Sequence, residues 1–362
     1  MMKIILDNII FSLQYGGGAS VVWSEHISRI LNDKRFESHF LEYDNSVNNV
    51  FRKNLLIPEN SLTTKSSKLL KLARYVDVKG DKMEPYIFHS SHYRIDKNVF
   101  AKNVTTVHDF VYEKYVKGIR QKVHSLQKWN SIKKADAVIC ISESTKKDLL
   151  HYIPDMDENK LFVVHNGVSD TFRQIEPDEY NLEIPFETRA YALYIGYRHV
   201  PYKNFNTAVQ ICKNLNIPLI TIGGEPIDKK EILIMEEQLG IGHFISLRGI
   251  NNSDLNELYN RAFVLLYPSL YEGFGIPVIE AQRCGCPVIC MQSSSIPEIV
   301  GNSDLCVQPD SSLDSICERV KLLYNNEYRN KEINQGLVNS QRFSWDNTYT
   351  KTIDVYNSLI NM

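Results

Sequence analysis

The stretch SLYEGFGIPVIEA, residues 269–281, carries two glutamates, Glu272 and Glu280, on either side of a glycine-bracketed apolar patch. It follows the apolar run FVLLYP. Gly273 and Gly275 let backbone N–H groups come close to a ligand, and Pro277 suits the first turn of a helix starting at Ile276. The positive end of that helix, opened by small residues, makes a site for a phosphate or another anion. Glu272 falls in the bend. Glu280 falls about one turn into the helix, where it can read a ligand or complement the helix dipole. A second cluster, YIGYRHVPYKNF, places Arg198 and Lys203 five apart on a loop. They could bracket a pyrophosphate, arginine as a fork and lysine as a point charge, or simply be solvated. His108-Asp109 ends the run NVTTV, where a histidine can donate a hydrogen bond into a ligand site and an aspartate can cap the next segment. Gly16-Gly17-Gly18 marks the first strand–helix turn without forming the G-x-G-x-x-G fingerprint, which weakens a nicotinamide-dinucleotide reading.

Other patterns carry less. His89 and His92 in HSSHY lack further ligands, and the Asp155-Met-Asp157 triplet stands in a polar turn before a strand rather than at a strand's end. Neither a Gly-x-Ser-x-Gly elbow nor a Walker-type phosphate loop is present. The seven cysteines sit mostly in apolar stretches and read as free thiols of a reducing compartment, and Cys284-Gly-Cys286 lacks the second pair that zinc spacing requires. At 362 residues, 43% hydrophobic and 23% charged, the chain has the composition of a globular protein of about two domains. No run of about 18 apolar residues suggests a membrane span, and MMKIILDNII reads as a first strand rather than a signal peptide. The net charge of −2 hides an asymmetry. Residues 1–175 hold 26 Lys and Arg against 20 Asp and Glu, and the remainder 15 against 23. An acidic balance overall, with basic runs not interleaved with aromatics, argues against nucleic acid.

These candidates follow compact apolar runs, so the elements that position them come next. KIILDNII, YIFHSS, NVTTVHD, DAVICIS and LFVVHNGV form one series. ALYIGY, PLITIGG, FISLRGI, FVLLYPS and PVICMQ form another. Helix-like stretches such as ASVVWSEHISRIL, QKVHSLQKWNSIKKA and FNTAVQICKNL separate them, while the region between the first helix and YIFHSS reads as irregular and partly basic. Strands written as continuous apolar runs and alternating with helices predict parallel sheets covered on both faces. Two series predict two doubly wound α/β domains, with a linker near 172–190 and ligands at the carboxyl ends of strands, in a cleft between the domains. The expected bounds are 1–175, 190–342 and a terminal helix, 343–362, crossing back to the first domain.

Together the motifs resemble family-four retaining glycosyltransferases of the GT-B fold. The E-x7-E region YPSLYEGFGIPVIEAQRCGCPVI carries the likeness, along with GGGAS, TVHDF, ICISESTKKDL, VVHNGVSDTF, YIGYRHVPYKNF, SSIPEIVGNSDL and FSWDNTYTKTIDVY, in the family's order along nearly the whole chain. The resemblance implies two Rossmann-like domains facing each other. It implies that Glu280 binds the ribose of a nucleotide-sugar donor and Glu272 its sugar, while Gly273, Phe274 and Gly275 offer N–H groups to phosphate and sugar. Arg198 and Lys203 would stabilise the leaving diphosphate, His108 would contact the donor sugar, Gly17 and Gly18 would lie near the phosphate and the acceptor, and Arg248-Gly249 near the base. Such a set fits the chemistry. Cleaving an anomeric bond leaves negative charge on the diphosphate and positive charge on the ring, and fixed cations and a carboxylate stabilise both. The family's behaviour implies retention of configuration, no metal and no cofactor. Gln282-Arg283 and Tyr197 depart from commoner family residues without removing a functional group.

The acceptor is expected on the first domain, as a glycan or a polyprenyl-diphosphate-linked acceptor of surface polysaccharide or lipopolysaccharide assembly. KSSKLLKLARYV and the segment Lys114–Lys134, free of acidic residues, read either as solvated faces or as basic amphipathic helices on an anionic membrane surface. The resulting expectation is a cytoplasmic hexosyltransferase, peripheral on the inner leaflet, with a GDP-mannose-type or UDP-sugar donor. A phosphorylase, a nucleotide-sugar epimerase or a catalytically silent binding subunit on the same fold are the alternatives.

Overall fold

A computed structural model of the protein describes residues 1–223 and 225–360. Gly224, at the end of the expected strand PLITIGG, and Asn361 and Met362 of the expected terminal helix lie outside the described residues. The chain divides into two compact units, Met1–Gly167 with Trp345–Met362, and Val168–Ser344.

The first unit is built on seven strands: β1 (Met2–Asp7), β2 (Phe36–Tyr43), β3 (Leu62–Lys65), β4 (Tyr86–Ser90), β5 (Ala101–Val107), β6 (Ala137–Cys140) and β7 (Leu161–Val163). They form one sheet in the order β3-β2-β1-β4-β5-β6-β7, and every pairing is parallel. Alternation along the strands supplies both faces. Ile4, Leu6, Ile87, Val104 and Ile139 pack with Trp23 and Ile27 of the helix Gly18–Ile30 and with Ile353, Tyr356 and Leu359 of the helix Trp345–Ile360. Ile5, Tyr86, Phe88 and Ala101 face the other way, against Val78.

The region expected to be irregular is partly regular. FESHFLEY is the long strand β2, and LTTK is the edge strand β3. Polar residues at 37–39 and 42 break up the apolar run, yet Phe36 and Phe40 join the core, and the carboxylate of buried Glu42 meets Arg52 Nε at 2.6 Å. In KSSKLLKLARYV the expected amphipathic helix is replaced by a 3-10 turn, Ser67–Leu69, and a four-residue helix, Leu70–Ala73. The chain is then drawn off into a bridge between Val78 and Asp96.

The second unit holds β8 (Ala192–Ile195), β9 (Leu219–Ile222), β10 (Phe244–Leu247), β11 (Val264–Tyr267), β12 (Val288–Met291) and β13 (Cys306–Val307), in the parallel order β10-β9-β8-β11-β12-β13. Ala192, Leu219, Val264, Leu266 and Ile289 pack against Ala208, Ile211 and Cys212 of the helix Phe205–Leu215 and against Ile316 and Val320 of the helix Leu313–Lys321. The stretch 172–190 belongs to this unit. Main-chain N–H groups of Arg173, Ile175, Asn181 and Leu182 donate to side chains of Asn256, Asn260 and Glu257, which all project from one helix, Asn252–Arg261.

In each sheet the strand order reverses once, between β1 and β4 and between β8 and β11. In doubly wound sheets, ligands bind outside the carboxyl ends of the strands at such a point. All seven cysteines are free and buried.

Candidate functional site

In the second unit the two loops at the reversal point are tied together. The loop after β8 makes a 3-10 turn, Pro201–Lys203, and Tyr202 O accepts from the N–H of Leu270 in the loop after β11 at 2.7 Å. This brings Lys203, 69 residues away in sequence, to Glu272: Nζ lies 2.7 and 2.9 Å from the two carboxylate oxygens. Both side chains are largely buried, so the pair is shielded from water on most sides. The bend carrying Glu272 is fixed by two serines. Ser294 Oγ accepts from the Glu272 N–H at 2.8 Å, and Ser295 Oγ donates to the carbonyls of Glu272 and Phe274 at 3.0 and 2.9 Å. Gly275 then starts the helix Ile276–Arg283 with φ +104°, and a Cβ at that position would come within 2.8 Å of Ile296 Cδ1. Glycine meets neither the strained backbone nor the contact that a side chain would.

Glu280 lies one turn inside this helix. Its Oε2 accepts from Tyr259 Oη at 2.9 Å. Burial pushes its carboxyl up to about 7, against the smaller pull of the tyrosine hydrogen bond. Near neutral pH the group therefore sits close to the boundary between ionised and neutral.

Arg198 is placed differently from Lys203. Its side chain is fully buried, and Nε meets Glu231 Oε1 at 2.7 Å. Nη1 reaches Ser246 Oγ at 3.3 Å, and Nη2 reaches the carbonyls of Glu225 and Pro226 at 3.2 and 3.4 Å. The two cations sought as a pair thus have separate carboxylate partners. Arg248 and Gly249 are exposed just beyond β10, where Gly249 turns the chain at φ +65°.

In the first unit, Gly17 and Gly18 are exposed at the start of the thirteen-residue helix Gly18–Ile30, after β1. At the reversal point, Asp7 and Arg94 form a buried ion pair, with Arg94 Nε 2.8 Å and Ser90 Oγ 2.7 Å from Asp7 Oδ2. His108 follows β5 and lines a cavity of about 30 Å³ with Trp23, His26, His89, Thr106 and Asn166. That space holds about two waters, and among the described residues the buried Asn166 Oδ1 in its wall has no partner. Burial is the main cause that lowers His108 to about 4, with Lys128 adding to it and Asp109 opposing, so the imidazole is neutral at physiological pH. Asp109 Oδ1 caps the next turn through the Val111 N–H at 3.0 Å. His89 is bound on both nitrogens, to Tyr356 Oη at 2.6 Å and Thr106 Oγ1 at 2.8 Å. Asp155 pairs with Lys133, and Asp157 caps Asn159. Among the described residues no cluster of three or more His, Cys, Asp or Glu could hold a metal.

Sequence reasoning missed Tyr259, Ser294, Ser295, Glu225 and Glu231. Tyr259 occupies an ordinary helix position, and the serines lie in SSSIPEIV, a motif whose positions gave no hint that hydroxyls would clamp a loop 22 residues upstream. Both units resemble known proteins. Residues 42–172 match the family model described as Glycosyltransferase Family 4, and residues 180–337 match the one described as Glycosyl transferases group 1. The chain is 27% identical over 288 residues to O-antigen chain mannosyltransferase B of Escherichia coli, covering 76% of this chain and 74% of that one. It is 25% identical over 297 residues to the serotype-specific mannosyltransferase WbdA of Escherichia coli, covering 75% of this chain and 36% of WbdA. HepE of Anabaena, solved with UDP and glucose, superposes over 99% of this chain and 100% of its own with a TM-score of 0.73 at 13% identity.

Proposed function

Because the chain belongs to the GT-B glycosyltransferases, we propose that it transfers a hexose from a nucleoside-diphosphate sugar to a glycan or polyprenyl-diphosphate-linked acceptor in surface polysaccharide assembly, retaining anomeric configuration and requiring no divalent ion. The observation that carries this reading is the Lys203–Glu272 pair at the strand-order reversal of the second unit, beside the N-terminus of the helix that bears Glu280. A bound diphosphate would take Lys203 from Glu272, and the released carboxylate would turn to the sugar hydroxyls. As the anomeric bond breaks, charge grows on the diphosphate, where the ammonium and helix N-terminus oppose it more strongly than in the ground state. Arg198 would join them by exchanging Glu231 for phosphate. Glu280 and Tyr259 would hold the ribose, and the neutral imidazole of His108 would bond the sugar. The mannosyltransferase names of the relatives favour a GDP-mannose-type donor; the UDP complex of HepE keeps UDP-sugars in view.

Thermal unfolding against UDP, GDP, ADP, CDP and NAD without metal tests the reading. About 100 Kd of the right nucleotide stabilises the protein by about 2.7 kcal/mol. A shift with one nucleoside diphosphate, unchanged by EDTA and lost in Lys203→Ala, is the expected result. A shift with NAD alone would overturn it.

A peripheral membrane location belongs to the same proposal. No helix among the described residues is long and apolar enough to cross a membrane. Leu69, Leu72, Tyr75 and Val76 are exposed among Lys65, Lys68 and Lys71, and Ile119, Val123 and Leu126 among Lys117, Arg120 and Lys122. The two segments adjoin where Gln127 Nε2 donates to the Arg74 carbonyl. Basic and apolar side chains so mixed suit an anionic lipid surface. Flotation with phosphatidylglycerol vesicles at low salt is expected, and its absence would remove this part of the reading.

A further inference from the structure

Lys128 lies in the basic stretch whose solvated or lipid-facing side is described above, yet it is fully buried. It points inward from the helix Ile119–Lys134 to the turn that follows His108. Its ammonium donates to the main-chain carbonyl of Asp109, stands 3.2 Å from Glu113 Oε2 and lies 3.5 Å from the centroid of the Phe110 ring. The other oxygen of Glu113 accepts from Ser125 Oγ at 2.9 Å, so the carboxylate is held from the same helix. One turn along, Ser131 Oγ meets Thr105 Oγ1 of β5 at 2.8 Å. One ammonium therefore grips three of the five residues after His108. Burying a lysine and a glutamate is costly, and two apolar side chains of similar volume would hold a fold as well or better. What apolar packing cannot supply is a directional bond to the Asp109 carbonyl.

We propose that Lys128 and Glu113 are positioning residues that fix the His108 turn, and with it the imidazole that meets the donor sugar. This rests on the transferase reading for the role of His108, but not for the geometry. A misplacement of about 1 Å at a reacting group can cost about 100-fold in rate, so the pair acts on turnover without touching substrate.

The test compares Lys128→Met, the double variant Lys128→Met/Glu113→Met and the milder Glu113→Gln. Removing one charge strands the other, so Lys128→Met is expected to unfold at a lower temperature. The double variant should recover much of that loss, since neither charge remains. In the ligand-free protein, the ring signals of His108, assigned through His108→Gln, are expected to shift in both the double variant and Glu113→Gln. With nucleotide sugar and acceptor, kcat is expected to fall about 10- to 100-fold in the double variant, with the donor KM changing much less. A double variant with His108 signals superimposed on the wild type's and kcat within about twofold would overturn the positioning role, whatever its unfolding temperature. Should the double variant not fold, superimposed His108 signals in Glu113→Gln overturn the proposal instead. Absence of turnover in the wild type would overturn the transferase reading, and the ligand-free spectra would still decide whether the pair positions His108.

Discussion

Glu280 is where residue chemistry makes the sharpest prediction. Its carboxyl, raised from 4.5 to about 7 by burial, would accept ribose hydroxyls best when ionised. Donor affinity in the wild type is therefore expected to strengthen as pH rises through about 7 and to be nearly flat in Glu280→Gln, read as donor Kd between pH 5.5 and 8.5. The stability effect runs the opposite way. A carboxyl whose pKa is higher in the folded state binds more protons there, so folding loses stability as pH rises from about 4.5 to about 7. Urea unfolding of wild type and Glu280→Gln should differ in that window, the variant losing less stability as pH rises. Identical pH profiles for the two proteins would mean that the carboxyl is not desolvated. The residue type and its spacing from Glu272 were legible in the sequence. The tyrosine 21 positions away that bonds it was not, because nothing local marks which helix face a distant hydroxyl will meet.

Among the elements, the loop from Ser269 to Gly275 decides whether Glu272 and the start of the following helix keep their places. It is fixed by the Tyr202–Leu270 backbone bond, by Ser294 and Ser295, and by the left-handed turn at Gly275. Gly275→Ala combines a conformation that L-residues rarely adopt with a 2.8 Å contact to Ile296 Cδ1. It is expected to lower unfolding stability by about 1–3 kcal/mol and to weaken nucleotide binding as the helix N-terminus shifts. Wild-type stability in denaturant titration would show that Ile296 yields freely. The turn residues of this loop could be read in advance, since glycine and proline carry their backbone preferences with them. The strand β2 could not. Its alternation is broken by glutamate, serine and histidine, and it is ordered as a strand by pairing with β1 and β3 on either side.

At the scale of the whole molecule, the chain returns to its first unit at the end. Ile353, Val355 and Leu359 of the helix Trp345–Ile360 are each at most 7% exposed in the core beside β1, β4 and β6. Burial of three such side chains contributes roughly 1.5–3 kcal/mol apiece, a large part of the roughly 5–15 kcal/mol that holds a typical domain. Truncation after Ser344 is expected to strip amide-exchange protection from β1 and β4 while β8 and β11 keep theirs. Protection retained in β1 and β4 would mean that this helix is dispensable.

By itself the sequence determined most strands of the two parallel sheets, because apolar runs and helical spacing are local patterns that those segments carry within them. It also determined which loops bear the glycines and charged residues singled out as candidates, because glycines, prolines and charges punctuate the ends of strands. Only the tertiary structure decided whom those charges face: Lys203 meets Glu272, Arg198 is enclosed by Glu231, and Lys128 turns inward to Asp109 and Glu113. An ion pair costs or contributes according to the burial and distance of its two members, and both quantities come into being when segments remote in sequence are packed together.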